Sequence, residues 1–373
     1  MSCCKAATSP LADIAAGDSK TYEATQKYYG KVLETSKDLK TSACTAAGKP
    51  HRRIIESLKK VPDEIKAKFY GCGAPLPLGI QGLRVLDLGS GSGRDCYVMA
   101  DLVGAQGKVT GVDMTEEQLA VARKYIDSYC KETLGYAEPN LDFVHGHIEY
   151  LDKAGIQDAS QDIVISNCVV NLSPDKPRVL SEVYRVLAPG GEFYFSDVYC
   201  SRRLPEHVRK HEVLWGECIA GALYTEDFRR IAQSVGFADP RVLSAAPIEV
   251  TDPELKAVVG EAEFYSITYR LFKAPGLLED KCEDYGQYAV YRGSVEGSES
   301  AYVLDDHHKF EKGKPMLVCG NTAAMVGENG VSWLAKHFDV VGDRTTHYGL
   351  FDCGPSPVAA APACEPGPGG ACC

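Results

Sequence analysis

The stretch Asp87-Leu88-Gly89-Ser90-Gly91-Ser92-Gly93 joins a short apolar segment, Arg84–Leu88, to a predicted helix over 93–102. Its glycines permit a tight turn and let the backbone come close to a ligand. The spacing is GxGxG, which is shorter than the GxGxxG of dinucleotide-binding proteins, where the helix N-terminus lies under a pyrophosphate. Asp87 can instead accept hydrogen bonds from an ammonium group. The stretch therefore predicts a ligand-binding turn between a strand and a helix.

Strands and helices alternate along the chain after this turn. The further predicted strands are 108–112, 141–144, 162–166 and 192–198. The predicted helices between them are 115–130, which opens with a Thr-x-x-Gln capping pattern, and 174–187. Such alternation specifies a parallel sheet with helices on both faces. We predict a Rossmann-like, doubly wound α/β sheet.

The alternation fades beyond about residue 200, where residues 207–222 are predicted as one helix carrying Cys218 and residues 225–235 as another. Two later blocks mix short strands and helices, so we expect smaller α+β domains there. The predicted division is 1–43 as a mobile or helical segment, 44–220 as the ligand-binding domain, 221–300 as a capping domain that binds the substrate, 301–352 as a small C-terminal domain, and 353–373 as a disordered tail rich in Cys, Pro and Gly.

The composition is that of a globular protein, with 45% hydrophobic and 24% charged residues. Acidic residues outnumber basic ones by 51 to 40, which gives a net charge of −11 and disfavours nucleic acid and anionic membrane surfaces as partners. The N-terminus reads neither as a secretory signal nor as a transit peptide, and no apolar stretch is long enough to span a bilayer. We expect a cytoplasmic protein, monomeric, with a small neutral or cationic substrate.

The chain has 15 cysteines, and in a reducing compartment these serve metal binding, redox chemistry or packing more often than structural disulfides. No CxxC pair and no Cys/His cluster of the zinc-finger type is present. The vicinal pairs Cys3-Cys4 and Cys372-Cys373 either chelate a soft ion or belong to passive tails. Five cysteines are interpreted as small hydrophobic residues that pack separately: Cys96, Cys130, Cys200, Cys282 and Cys319.

Side chains at the ends of the second and third predicted strands fit a nucleoside. Asp113 can accept both hydroxyls of a ribose, and Met114 can lie on an adenine face. Ile148 and Glu149 are placed to frame the exocyclic amine of a purine. Together with the carboxylate of Asp87 for an amine, these groups describe S-adenosylmethionine, and a Rossmann oxidoreductase is the nearest competing reading. We therefore predict a class I S-adenosylmethionine-dependent methyltransferase.

The predicted cofactor residues are Tyr70, Asp87, Gly89, Ser90, Gly91, Asp113, Met114, Ile148, Glu149 and Asn167. Tyr70 either covers the cofactor or packs within the linker. Asn167 either hydrogen-bonds the cofactor or supports its loop.

Cys168 lies at the predicted carboxyl end of the fourth strand, in the run ISNCVVNLSPDK. Open α/β sheets bind their ligands just outside the carboxyl ends of their strands, so this thiol faces the expected substrate. No obvious general base accompanies it at this strand end, where oxygen and nitrogen methyltransferases often carry one. A thiol in this position indicates a thiophilic substrate.

Four cysteine contexts give the chain a family resemblance: SACTAAGKP around Cys44, FYGCGAPLP around Cys72, ISNCVVNLSPDK around Cys168 and LWGECIAGAL around Cys218. With DLGSGSGRD, GVDMT and GHIE, they make residues of about 20–300 resemble the arsenite S-adenosylmethionine methyltransferases. The resemblance implies that Cys72, Cys168 and Cys218 bind trivalent arsenic, with S-adenosylmethionine as the methyl donor. It also implies a disulfide relay between Cys44 and Cys72.

The expected reaction gives mono- and dimethylated arsenic, as in arsenic detoxification, with glutathione or thioredoxin as the thiol reductant. Two other readings stay open at this point. One is a small-molecule C-, N- or O-methyltransferase with structural cysteines, and the other is a non-catalytic, thiol-rich protein that binds a metalloid. Replacing Cys168 and Cys218 by serine separates the first of these from arsenic methylation. In a small-molecule methyltransferase with structural cysteines, catalysis should largely survive the replacement.

Overall fold

The structure is a computed structural model that describes residues 50–69, 71 and 73–354. Within this part of the chain lies an eight-stranded sheet in the order β3-β2-β1-β4-β5-β8-β7, with β6 paired to β5. Its strands are β1 Arg84–Leu88, β2 Lys108–Asp113, β3 Leu141–His145, β4 Gln161–Asn167, β5 Leu187–Cys200, β6 Leu223–Tyr224, β7 Arg241–Ile248 and β8 Phe264–Phe272. β1 to β5 are parallel, whereas β8 is antiparallel to both of its neighbours.

The described α-helices are α1 Arg52–Lys60, α2 Asp63–Ala67, α3 Arg94–Val103, α4 Glu116–Arg123, α5 Lys176–Val186, α6 Glu206–Arg209, α7 Glu212–Gly216, α8 Thr225–Val235, α9 Pro253–Val259 and α10 Gly320–Val326. Apolar side chains from the two faces of the sheet enter two separate cores, one with α3 and one with α5 and α8. Parallel strands covered on both faces are nearly continuous hydrophobic runs, as β1 and β4 are. The predicted doubly wound α/β class is confirmed.

Two sequence-based boundaries are wrong in instructive ways. The fifth strand, predicted over 192–198, begins already at Leu187 and so includes Pro189-Gly190-Gly191. Gly190 has φ of 80° there, and the register with β4 shifts to absorb the extra residues. The predicted helix 115–130 ends at Arg123 and is followed by a π-helix, Ser128–Thr133. Its predicted cap is also absent, because Thr115 makes its hydrogen bonds to Asp113 instead.

The single helix predicted over 207–222 is wrong. The chain forms α6 and α7 there and then turns, so Cys218 lies outside any helix. Cys218 has φ of 61°, and the backbone amides of Ile219 and Ala220 both donate to the carbonyl of Leu214. A left-handed residue with such bonds is a common way to end a helix. The apolar periodicity of the segment does not reveal this turn.

Short strands after β8 form three small antiparallel sheets, ordered β13-β10-β14, β11-β12 and β15-β9. They are β9 Glu283–Asp284, β10 Tyr288–Tyr291, β11 Ala301–Val303, β12 Lys309–Glu311, β13 Pro315–Leu317, β14 Phe338–Val341 and β15 Gly349–Leu350. The predicted domain boundaries remain predictions, although β7 and β8, from the expected capping region, continue the main sheet. In the described part of the chain no helix combines the length and apolarity that crossing a membrane requires.

A buried charge cluster joins this C-terminal part to the main sheet. Arg270 on β8 pairs with Glu192 on β5 at 2.6 Å, and both side chains are almost fully buried. The indole Nε1 of Trp333 donates to the same carboxylate at 2.9 Å. A buried carboxylate needs such partners, because burying an unpaired charge is costly.

We expect Arg270→Met to lower the free energy of unfolding by about 3–5 kcal/mol, because Glu192 would stay buried without its counter-ion. Urea denaturation followed by circular dichroism measures this. Arg292→Met is the matched control, since the Arg292–Asp339 pair is about half exposed and should contribute little. Equal effects of the two substitutions would contradict the assignment.

Candidate cofactor and thiol site

A pocket opens at the carboxyl ends of β1 to β4. Every predicted cofactor residue that the structure describes lines it: Asp87, Gly89, Ser90, Gly91, Asp113, Met114, Ile148, Glu149 and Asn167. Cys168 lines the same pocket. Tyr70, Cys44 and Cys72 lie outside the described residues, so their roles stay predictions.

The glycine loop is fixed by its backbone. The amides of Gly89 and Ser90 both donate to the carbonyl of Val112, at 2.7 and 3.0 Å. Gly89 has φ of 66°, and a Cβ there would lie 2.4 Å from a side-chain carbon of Val169, the residue after Cys168. Glycine is therefore required by both conformation and space. The loop packs directly against the segment that carries Cys168.

Asp113 holds two loops of the pocket together. Its carboxylate accepts the amide of Gly91 and the amide of Thr115, each at 2.8 Å. Burial raises the pKa of Asp113, and these hydrogen bonds oppose that rise. The carboxylate keeps further lone pairs that can accept ribose hydroxyls.

Asp87 is a carboxyl group whose surroundings favour a cationic ligand. Burial, and then the neighbouring charge of Asp95, hold the pKa of Asp87 well above its usual range. The thiol of Cys96 donates to it at 3.1 Å. A ligand ammonium group here would offset both the burial and the repulsion. At the other end of the pocket, the hydroxyl of Ser173 donates to the buried carboxylate of Glu149.

Cys168 and Cys218 are brought together from distant parts of the chain. The thiol of Cys218 lies 3.4 Å from the backbone carbonyl of Cys168, and both residues are buried, at 5% and 1% exposure. Both have left-handed backbones, with φ of 59° and 61°. Strained conformations of this kind cost energy and tend to occur at functional sites. Cys168 is disulfide-bonded, and Cys218 is not its partner because Cys218 is a free thiol.

Gly73 is held beside Cys168 by the side chain of Asn167. The Asn167 amide accepts from the Gly73 amide and donates to the Gly73 carbonyl, each at 3.0 Å. It also donates to Asp95 at 3.0 Å. Of the two roles predicted for Asn167, support of the neighbouring loop is therefore observed.

Gly221 explains how closely the Cys218 segment approaches the loop after Cys168. A Cβ at Gly221 would lie 2.1 Å from the carbonyl oxygen of Asn171, so the two backbones touch there. The side-chain amide of Asn171 donates to the carbonyl of Val198, and its backbone amide donates to the carboxylate of Asp197 at 3.0 Å. Residues near the carboxyl end of β5 therefore hold Asn171 in position for this contact.

Sequence reasoning missed a buried cation next to the thiols. Lys176 is 5% exposed, and its ammonium donates to the carbonyl of Ser173 at 2.8 Å. Burial lowers the pKa of Lys176 to about 8, while the charges of Asp197 and Cys218 oppose the shift. The sequence Ser173-Pro174-Asp175-Lys176 has no pattern that predicts a buried lysine. That Lys176 lies near Cys218 is therefore seen only in the folded chain.

This sheet topology and pocket define a class I S-adenosylmethionine-dependent methyltransferase. Residues 81–236 match the family model described as "Methyltransferase domain". The arsenite methyltransferase of Aquipseudomonas alcaligenes is 53% identical over 334 residues, which cover 89% of this chain and 94% of the relative. The human arsenite methyltransferase is 46% identical over 311 residues, 83% of this chain and 81% of the relative.

Among solved structures, the chain is similar to an arsenic (III) S-adenosylmethionine methyltransferase from Chlamydomonas reinhardtii, with 62% identity and a TM-score of 0.79. That match covers 82% of this chain and 100% of the other. The chain belongs to the arsenite methyltransferase family.

The described pocket residues fit S-adenosylmethionine. The hydroxyl oxygen of Ser90 is buried at the glycine loop and has no hydrogen-bond partner among the described residues, so it can bond a ligand. Asp87 and Asp113 offer carboxylates to the amine and the ribose, and Met114 and Ile148 offer apolar surface to the adenine. The described residues thus suit the amine, the ribose and the adenine of this cofactor.

We expect Asp113→Asn to raise the dissociation constant for S-adenosylmethionine about 10- to 100-fold. Each carboxylate oxygen of Asp113 accepts one backbone amide, and in the variant the side-chain NH2 group would face one of these amides. Isothermal titration calorimetry measures the constant. Asp142→Asn, on the exposed side of β3, is the control and should bind as the parent does. Unchanged binding by Asp113→Asn would contradict the role.

Asp197 predicts a pH dependence of stability. Burial raises its folded-state pKa to about 7, whereas an unfolded aspartate titrates near about 3.9. Its contribution to stability is therefore complete below about pH 4 and is lost as the pH rises through about 7. Between about pH 5 and about pH 8, the parent should lose roughly 2–3 kcal/mol of unfolding free energy relative to Asp197→Asn.

Urea denaturation of both proteins at the two pH values measures this difference. The substitution also removes the charge that acts on Lys176, so the comparison reports the titration of Asp197 together with its coupling to Lys176. Parallel pH profiles of parent and variant would show that Asp197 does not titrate in this range.

Proposed function

We propose that this protein transfers methyl groups from S-adenosylmethionine to thiolate-bound trivalent arsenic, giving mono- and then dimethylated arsenic. The observation that carries the proposal is the meeting of Cys168 and Cys218 at the edge of the cofactor pocket. The two thiols come from segments 50 residues apart, and both are buried. The similarity to two arsenite methyltransferases supports the same conclusion.

The chemistry of the substrate explains why thiols are used. Trivalent arsenic is soft, takes three sulfur ligands in a pyramid, and keeps a lone pair at the apex. We propose Cys72 as the third ligand beside Cys168 and Cys218. The neighbouring residue Gly73 is bonded to Asn167, which directly precedes Cys168, and this supports the assignment.

S-adenosylmethionine, when bound, supplies a methyl group on a positively charged sulfur. The residues of the chain hold the acceptor: three thiols would fix the arsenic pyramid and direct its lone pair towards the cofactor pocket. Arsenic bound by three sulfurs has no proton to lose, so the reaction needs no general base. Positioning must then supply most of the rate, because misplacing the reacting atoms is costly.

The disulfide of Cys168 gives the reductant a specific task. In this oxidised form Cys168 cannot ligate arsenic. Two thiol groups from a reductant, glutathione or thioredoxin, would open the disulfide by exchange and leave it as their own disulfide. The proposed relay between Cys44 and Cys72 would carry the same oxidising equivalents between turnovers. We propose that the protein works as a monomer in the cytoplasm.

The decisive experiment incubates the purified full chain with arsenite, labelled S-adenosylmethionine and either glutathione or thioredoxin. Chromatography coupled to mass spectrometry should detect methylated arsenic. We expect Cys168→Ser and Cys218→Ser each to reduce the rate about 100-fold or more, because a lost ligand misplaces the arsenic. Cys130→Ser is the matched control, since that buried thiol contacts only Asn140 among the described hydrogen bonds.

The results distinguish the three readings. Methyl transfer that survives both active-site substitutions would favour a small-molecule methyltransferase with structural cysteines. Tight arsenic binding without methylated product under any thiol condition would favour a non-catalytic metalloid-binding protein. Loss of activity in Cys130→Ser as well would show that the cysteine effects are structural.

A further inference from the structure

Three cysteines come together in the C-terminal part of the molecule, and all of them follow the cofactor-pocket residues in the sequence. The sulfur atoms of Cys282, Cys319 and Cys353 all lie within 4.8 Å of one another. All three are free thiols. None of them lines the cofactor pocket, so this cluster is distinct from the thiols used in the proposed reaction.

The cluster is built by secondary structure. Cys282 directly precedes β9 and Cys353 follows β15, and the pairing of these strands extends to a hydrogen bond from the Phe351 amide to the Cys282 carbonyl at 2.8 Å. Cys319 is the N-cap of α10, and its sulfur accepts the amide of Thr322 at 3.4 Å. The three thiols are therefore held by the backbone rather than by flexible side chains alone.

A buried guanidinium forms one wall of the cluster. Arg241 approaches the sulfur of Cys319 at 3.6 Å and that of Cys282 at 3.8 Å. Its charge is already balanced by Asp239 at 2.7 Å and Asp305 at 3.0 Å. The wall therefore has acidic counter-charges of its own and does not require three further negative charges on the sulfurs.

We propose that Cys282, Cys319 and Cys353 form a second binding site for trivalent arsenic, separate from the site of methyl transfer. Three thiols react with arsenous acid to form three As–S bonds; three As–O bonds and three S–H bonds break, and three waters leave. No electrons are transferred and the product is neutral. Placing it beside a charge-balanced arginine therefore incurs no cost for burying a charge.

The donor number favours arsenic over zinc. Among the described residues, the group contains three ligand side chains and no fourth His, Asp or Glu. Structural zinc is almost always bound by four ligands in a tetrahedron, and zinc with three thiolates would carry a net negative charge. Trivalent arsenic is complete with three sulfurs. Cys319 is buried while Cys282 and Cys353 are partly exposed, so a small ligand can enter.

The test uses the full chain, reduced with a phosphine that offers no competing thiol. Alkylation of each cysteine is followed by peptide mass spectrometry with arsenite, with zinc, or with neither. In saturating arsenite we expect alkylation of Cys282 and Cys353 to slow by about tenfold or more. Cys319→Ser should abolish this protection, whereas Cys200→Ser, at a buried thiol outside the cluster, should retain it.

Cys319→Ser is suited to the test because serine is a favourable N-cap and its oxygen can still accept the amide of Thr322. The protection should also persist in Cys168→Ser/Cys218→Ser, since the site does not depend on methyl transfer. Protection in Cys319→Ser, its loss in Cys168→Ser/Cys218→Ser, or protection by zinc alone would each overturn the proposal. So would unchanged alkylation of the parent with arsenite, a measurement that needs no variant.

Discussion

The buried amide of Asn167 is the interaction on which the site depends. It closes two hydrogen bonds with the backbone of Gly73 and a third with Asp95 at the start of α3. A single side chain thereby ties the segment before β1, the cofactor helix and the end of β4 to one another. Because the amide is buried, each of these bonds is expensive to break. These hydrogen bonds also constrain the position of Cys168, which directly follows Asn167.

The glycine loop and the Cys218 segment are linked because both pack on the residues that follow Cys168. The glycine loop packs on Val169, directly after Cys168, and the Cys218 segment packs on Asn171, two residues beyond Val169. Cofactor loop and thiol loop therefore share one short stretch of chain. The left-handed backbones of Cys168 and Cys218 fit this view, since such conformations persist only where the surrounding structure imposes them. The thiols proposed to bind arsenic are therefore positioned by backbone packing.

Local patterns predicted well what is locally determined. The strand Arg84–Leu88 and the helix Thr225–Val235 were predicted with the observed bounds, because apolar periodicity and polar breaks coincide there. The helix over 207–222 failed because a left-handed cysteine ends α7, and a cysteine is not a usual signal for that conformation. The capping pattern at Thr115 failed because a residue two positions earlier, Asp113, takes its hydrogen bonds.

The sequence by itself determined the doubly wound sheet, the glycine turn, the carboxylates Asp87, Asp113 and Glu149, and Cys168 at a strand end, because each belongs to a short motif with its own periodicity or spacing. Only the tertiary structure decided which thiols meet. Cys218 reaches Cys168, and Cys282 reaches Cys319 and Cys353, through strand pairing and backbone contact between distant segments. Contacts of this kind arise from packing the whole chain, so they leave no local pattern in the sequence.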